Sequence, residues 1–264
     1  MTNRIDKKLE FLKSNNRVAV VPYLTVGYPD ISLSYEIASS LLDAGADMLE
    51  LGIPFSDPLA DGPTIQMTSF KALENGVNIN TAFDIAQKLR AVDEGFPIIF
   101  MGYFNPFLQY GISEFITKAA SIGIDGIIIP DLPAEESTQV ALECGKQDIH
   151  LIPLLAPTST EERIVAASSK AGGFIYCVSL TGVTGTKSKF SKSVESLVNK
   201  IRKYTDLPIL VGFGVSSRLD IQQISDFADG AIVGSALLDV ISRADSNKKV
   251  DEARGFIEGL TSSD

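Results

Sequence analysis

The stretch MLELGIPFSDPLADGPTIQ, residues 48 to 66, sets Glu50 among Met48, Leu49 and Leu51 and follows it with Asp57 and Asp61 in a loop of three prolines. A carboxylate inside an apolar run is costly to bury unless it is paired or its chemistry is used. In an extended chain Met48 and Glu50 share one face and Leu49 and Leu51 the other. If the leucines face covering helices, Glu50 points into the enclosed side of the sheet. Burial there raises the pKa of a carboxyl and suits it to proton transfer near neutral pH. A structural ion pair is the competing explanation, but none of the chain's apolar runs contains a Lys or Arg. Asp61 could return over the same site as a second carboxylate, although Asp-Pro and Asp-Gly are also ordinary turn pairs.

The elements that must position these groups are legible as eight short apolar runs: 18–24, 46–52, 97–103, 124–130, 150–155, 174–179, 208–214 and 229–234. Stretches of helical period separate them, and continuous apolarity is the mark of parallel strands covered on both faces. A weak repeat spans pairs of units, with AGAD (44–47), IGID (122–125), AGG (171–173) and ADG (228–230) leading into alternate strands. That repeat and the length of 264 residues predict an α/β fold, a single (β/α)8 TIM barrel domain over 1–264, in which active sites lie at the C-terminal ends of the strands. Extra helices are expected at the N-terminus, within 63–76 and near 104–109. Two long polar connections, 53–63 and 180–193, follow strands two and six at that end.

Composition excludes several classes of function. The net charge of −10 argues against nucleic acid and anionic membranes, which select for clustered Lys and Arg. The N-terminus lacks the apolar core of a secretory signal, and no run approaches the ~20 residues of a membrane span. Cys144 and Cys177 are the only cysteines, too few for a disulfide framework, which suggests reduced thiols and a cytoplasmic setting. His150 is the only histidine, so no His/Cys cluster for a metal is expected. Every lysine lies outside the strand runs, which disfavours a Schiff-base aldolase.

Glycines gather at three strand ends: GVTG (182–185), GFGVS (212–216) and VGSA (233–236). In many barrels the loops after strands seven and eight cup a phosphate with backbone N–H groups and a helix N-terminus. No Lys or Arg lies in these segments, so the anion would be held by amides and helix dipole. Tyr23, Tyr103, Tyr176 and Phe213 sit near strand ends and would wall a flat apolar substrate, or simply pack.

The segment ELGIPFSDPLADGPTIQ, together with YLTVGYPD (23–30), PDLP (130–133), GVTG and GFGVS in matching order, resembles the alpha subunit of tryptophan synthase over essentially the whole chain. The resemblance implies a barrel that cleaves indole-3-glycerol phosphate to indole and D-glyceraldehyde 3-phosphate without a cofactor, working with a beta subunit as an alpha2beta2 tetramer. It implies Glu50 as catalytic acid/base and Asp61 as the group opposite the indole nitrogen. It also implies phosphate contacts at Gly185, Phe213, Gly214, Gly234 and Ser235, with Tyr176 and Thr184 lining the site. The regions around Asp57 and 104–109 would face the beta subunit. Leu180-Thr181 stands ahead of GVTG where some members carry an arginine. The 182–190 stretch is expected to form a lid. Three alternatives stay open: a stand-alone indole-producing lyase, a non-catalytic phosphate-sensing subunit, and a sugar-phosphate isomerase. The last is disfavoured because His150 begins its strand at the wrong end.

Overall fold

A computed structural model describes residues 3–178, 192–212 and 214–262. The strands are β1 (Ala19–Thr25), β2 (Leu49–Gly52), β3 (Ile98–Met101), β4 (Gly126–Ile128), β5 (His150–Ile152), β6 (Leu154–Leu155), β7 (Ile175–Val178), β8 (Ile209–Gly212) and β9 (Gly230–Val233). The helices are α1 (Arg4–Ser14), α2 (Ile31–Asp43), α3 (Pro63–Glu74), α4 (Ile79–Val92), α5 (Phe104–Tyr110), α6 (Ile112–Ser121), α7 (Thr138–Lys146), α8 (Glu161–Lys170), α9 (Lys192–Ile201), α10 (Arg218–Ser225), α11 (Ser235–Arg243) and α12 (Lys249–Thr261). Each of the eight predicted runs holds a strand among its described residues, and the expected extra helices are α1, α3 and α5.

The sheet runs β5-β4-β3-β2-β1-β9-β8-β7-β6, with parallel pairing throughout the described ladder. One predicted run, 150–155, is split into β5 and β6 at Pro153. Proline has no N–H to give to a ladder, so the run changes partner there. β5 pairs with β4 and β6 with β7, while Pro153 O still accepts from Tyr176 N at 3.1 Å. The split run joins the two edges of the sheet, and the strands make a barrel.

The repeat in the sequence has a physical cause. Asp47, Asp125 and Asp229 each turn back and accept from an amide at the start of the preceding strand, at Val20 (3.0 Å), Ile98 (2.9 Å) and Ile209 (2.8 Å). Each also meets an arginine: Arg17 at 3.7 Å, Arg90 at 3.1 Å and Arg202 at 3.0 Å respectively. The AGG segment has no aspartate. There Gly172 and Gly173 leave room for His150, whose Nε2 meets Asp6 of α1 at 2.8 Å. These staples close the N-terminal end of the barrel and leave the C-terminal end to the loops.

Candidate active site

Glu50 sits in β2, opposite Tyr23 on β1 and Ile99 on β3. It is 0% exposed, and neither carboxyl oxygen has a hydrogen-bond partner among the described residues. Its charge is felt at Tyr176 on β7, across the barrel, so the side chain points inward as strand parity requires. Burial, reinforced by the nearby charge of Asp61, pushes its pKa from 4.5 up to about 8. A buried polar group without a partner costs free energy that a fold tolerates only for a reason.

Asp61 comes over this carboxyl from the loop between β2 and α3. Its pKa is pushed from 3.8 up to about 6 by burial, with a hydrogen bond from Tyr103 pulling the other way. Two hydrogen bonds hold this loop. Tyr103 Oη accepts from Ala60 N at 3.0 Å, and Gln66 Nε2 donates to Asp61 O at 2.8 Å. Pro63 occupies the first turn of α3, where its missing N–H is no loss.

Tyr23, Tyr103 and Tyr176 are all buried around the two carboxyls. Burial raises the hydroxyl pKa of each, with Asp61 adding to the effect at Tyr23 and Tyr103, and Glu50 and Asp61 at Tyr176. Two glycines were missed in this role by sequence reasoning. A Cβ on Gly52 would lie 2.1 Å from Tyr23 Oη, and one on Gly212 would lie 2.2 Å from the Tyr176 ring. Each tyrosine lies across the glycine of the neighbouring strand. The signal was present for Gly212, within GFGVS, but it pointed to phosphate rather than to a ring.

The predicted glycine cup divides. Gly214 has φ +61, and among the described residues nothing lies within 4 Å of where a Cβ would stand, so its need for glycine is conformational. Thr184, Gly185 and Phe213, and with them the whole 182–190 stretch and Leu180-Thr181, lie outside the described residues. Of the two helix starts that follow β8 and β9, α10 is capped from within. Its Ser217 side chain accepts from Asp220 N, and the Ser216 and Ser217 amides both donate to Asp220 Oδ2 at 2.9 Å. α11 begins after Gly234 with no side-chain cap, so among the described residues its first amides, from Ser235 onward, have no side-chain acceptor. A helix start of that kind attracts an anion.

Asp131, just past β4, accepts from Phe104 N at 2.8 Å and so caps α5. Cys144 and Cys177 are buried free thiols whose pKa burial pushes up to about 12, which leaves them unreactive. Among the described residues no group of His, Cys, Asp and Glu is placed to hold a metal ion, and no helix is long and apolar enough to cross a membrane. His150 opens β5 at the N-terminal end, away from both carboxyls.

The family model described as "Tryptophan synthase alpha chain" matches residues 9–260. The chain belongs to the tryptophan synthase alpha chain family. Curated alpha chains from a Thermoanaerobacter species and from Chloroflexus aggregans are each 44% identical to it. The first alignment covers 98% of both chains and the second 98% of this chain and 97% of the relative. A crystal structure of the tryptophan synthase alpha subunit of Legionella pneumophila superposes with a TM-score of 0.92 at 35% identity, covering 99% of this chain and 98% of that one. The barrel is therefore that of solved alpha chains.

Proposed function

We propose that the chain is a carbon–carbon lyase that cleaves indole-3-glycerol phosphate to indole and D-glyceraldehyde 3-phosphate, the alpha reaction of L-tryptophan biosynthesis. The observation that carries this reading is a pair of carboxyls whose pKa values are driven apart. At neutral pH Glu50, at about 8, is mostly protonated and Asp61, at about 6, is mostly ionised. Two neighbouring acids held in different protonation states take different roles.

Glu50 delivers its proton to indole C3, which breaks the ring's aromaticity and places positive charge on the ring nitrogen. Asp61, ionised and facing the same space, stabilises that charge. The carboxylate left at Glu50 then takes the proton of the glycerol hydroxyl as the C–C bond breaks. The bonding electrons return to the indole, the hydroxyl carbon becomes the aldehyde, and Glu50 regains its proton. The chemistry asks for no cofactor. Tyr23, Tyr103 and Tyr176 form the wall for the flat ring, and Thr184 and Phe213 are further proposed contacts. We assign the phosphate to the Gly234 and Ser235 amides at the start of α11, with Gly185, Phe213 and Gly214 as further proposed contacts.

The same reading gives the protein one barrel domain over residues 1–264, a cytoplasmic setting, and a tryptophan synthase beta subunit as partner in an alpha2beta2 assembly. Support for a partner comes from the two segments expected to face it, where Leu59, 92% exposed, and Leu108 present apolar side chains to solvent. Mixing the purified chain with indole-3-glycerol phosphate should release indole and glyceraldehyde 3-phosphate in equal amounts. Absence of indole, with and without an added beta subunit, would overturn the proposal.

A further inference from the structure

The Asp61 loop leaves β2 at Ile53 and returns into α3 at Pro63, and two adjacent residues of that helix fasten respectively the helix to β1 and the loop to the helix. Ser69 is buried, and its hydroxyl makes both possible bonds to one residue of the loop. Ser69 Oγ accepts from Phe55 N at 2.9 Å and donates to Phe55 O at 3.0 Å. Thr68 is fully buried, and its hydroxyl lies 2.7 Å from Thr25 Oγ1 on β1 and 3.0 Å from Ile65 O. Thr25 Oγ1 in turn is 3.5 Å from the hydroxyl of Tyr23, the residue paired in register with Glu50. Neighbouring residues of a helix do not share a face, so the two hydroxyls reach in different directions. One ties α3 to the strand beside Glu50, the other ties the start of the loop to α3.

We infer that Thr68 and Ser69 are positioning residues that hold Asp61 over Glu50 before any substrate arrives. The inference rests on the lyase reading above and deepens it. Neither residue touches the carboxyls; they act through the backbone of Phe55 and the seating of α3. The loop closes on a single helix, fastened at one end by Ser69 and at the other by chain continuity through Pro63. Between these points Tyr103 and Gln66 hold Ala60 and Asp61. The ring of Phe55 lies 5.3 Å from that of Tyr103, centroid to centroid, so the Ser69 anchor also sets the aromatic against which the Asp61 side of the loop rests. Preorganisation of this kind matters to rate because a misplacement of about 1 Å costs up to ~10²-fold.

Ser69→Ala leaves the Phe55 N–H and C=O without their partner, and the start of the loop slackens. The expected result in single-turnover indole formation is a kcat about tenfold to a hundredfold lower, with KM changed less than about twofold, since the α11 start is untouched. In an Asp61→Asn background the same substitution should cost less than about twofold, because the group it positions is already disabled. Asp61 itself, followed by its carbon-13 carboxyl resonance, should titrate below its value in the unsubstituted protein as water reaches it. The acid limb of the pH–rate profile should move with it. Thr68→Val, measured in the same cycle, should behave alike, and it serves if Ser69→Ala does not fold. Additive losses in the Asp61→Asn background, or an Asp61 titration unmoved in both variants, would overturn the inference. The carbon-13 titration needs no substrate. A failure of the lyase reading, seen as no indole from the unsubstituted protein, is thus separable from a failure of the clamp.

Discussion

At the N-terminal end of the barrel Asp125 is 2% exposed, and its oxygens meet the Ile98 amide at 2.9 Å, Arg4 at 2.9 Å and Arg90 at 3.1 Å. At the C-terminal end Glu50 is 0% exposed and meets no hydrogen-bonding partner among the described residues. Two carboxyls buried to the same degree thus have opposite surroundings. Asp47 makes the contrast finer. Burial raises its pKa too, but the Val20 amide and then Arg17 pull it down, whereas at Glu50 the charge of Asp61 pushes the same way as burial. A paired buried carboxylate fastens strands, while an unpaired one keeps a proton that it can give away. The lesson is that burial alone does not mark a working acid; burial without compensation does.

The contrast breaks most sharply at Glu50. Glu50→Gln keeps the shape of the side chain but cannot exchange a proton, and indole formation under single-turnover conditions should fall by ~10²–10⁴-fold. Binding of a substrate analogue, measured calorimetrically, should change little. A Glu50→Gln protein that cleaves at the unsubstituted rate would place the acid elsewhere. The unsubstituted enzyme should show a bell-shaped kcat/KM profile, rising through about 6 as Asp61 ionises and falling through about 8 as Glu50 loses its proton.

At the other end, removing a partner should damage the fold and leave the chemistry intact. Asp125→Ala removes the carboxylate that Arg4, Arg90 and the Ile98 amide share and should lower stability by about 3–5 kcal/mol in urea unfolding, with turnover per folded molecule preserved. Loss of activity without loss of stability would contradict the division between the two ends.

A smaller effect links stability to pH at Glu50. Its folded pKa, about 8, stands above its ordinary 4.5. The folded protein therefore holds a proton that the unfolded chain releases between those values. This stabilisation is full below about 4.5 and is lost as pH rises through about 8. The stability of Glu50→Gln relative to the unsubstituted protein should accordingly grow across that window, by on the order of a few kcal/mol, and level off above it. Thermal melts at a series of pH values would show it, and a difference independent of pH would mean that Glu50 is not held neutral. Least of all, Gly214→Ala should cost about 1 kcal/mol through its positive φ, since no neighbour among the described residues opposes the new Cβ.

Much of this was determined by the chain's own order of residues. Eight apolar runs, each bounded by turn residues, dictate parallel strands because only a doubly covered strand is apolar throughout. Glu50 stands out because it is the one acid in the body of a strand. The aspartates before alternate strands were visible as a repeat, yet their bonds to Val20, Ile98 and Ile209 were not, because those partners lie one βα unit away. Other features were decided only by tertiary structure. Pro153 splits one run between two partners because closure of the sheet brings β4 and β7 to opposite halves of it. Gly212 serves the ring of Tyr176, a contact between strands that no spacing reveals. α10 is capped by its own Asp220, while α11 has no side-chain cap among the described residues, a difference between two similar glycine segments that the sequence does not show. Local pattern fixes which elements form, since backbone hydrogen bonds and side-chain period act over a few residues. Which carboxyl is left unpaired depends on groups brought together from distant strands, and that is a property of the folded barrel alone.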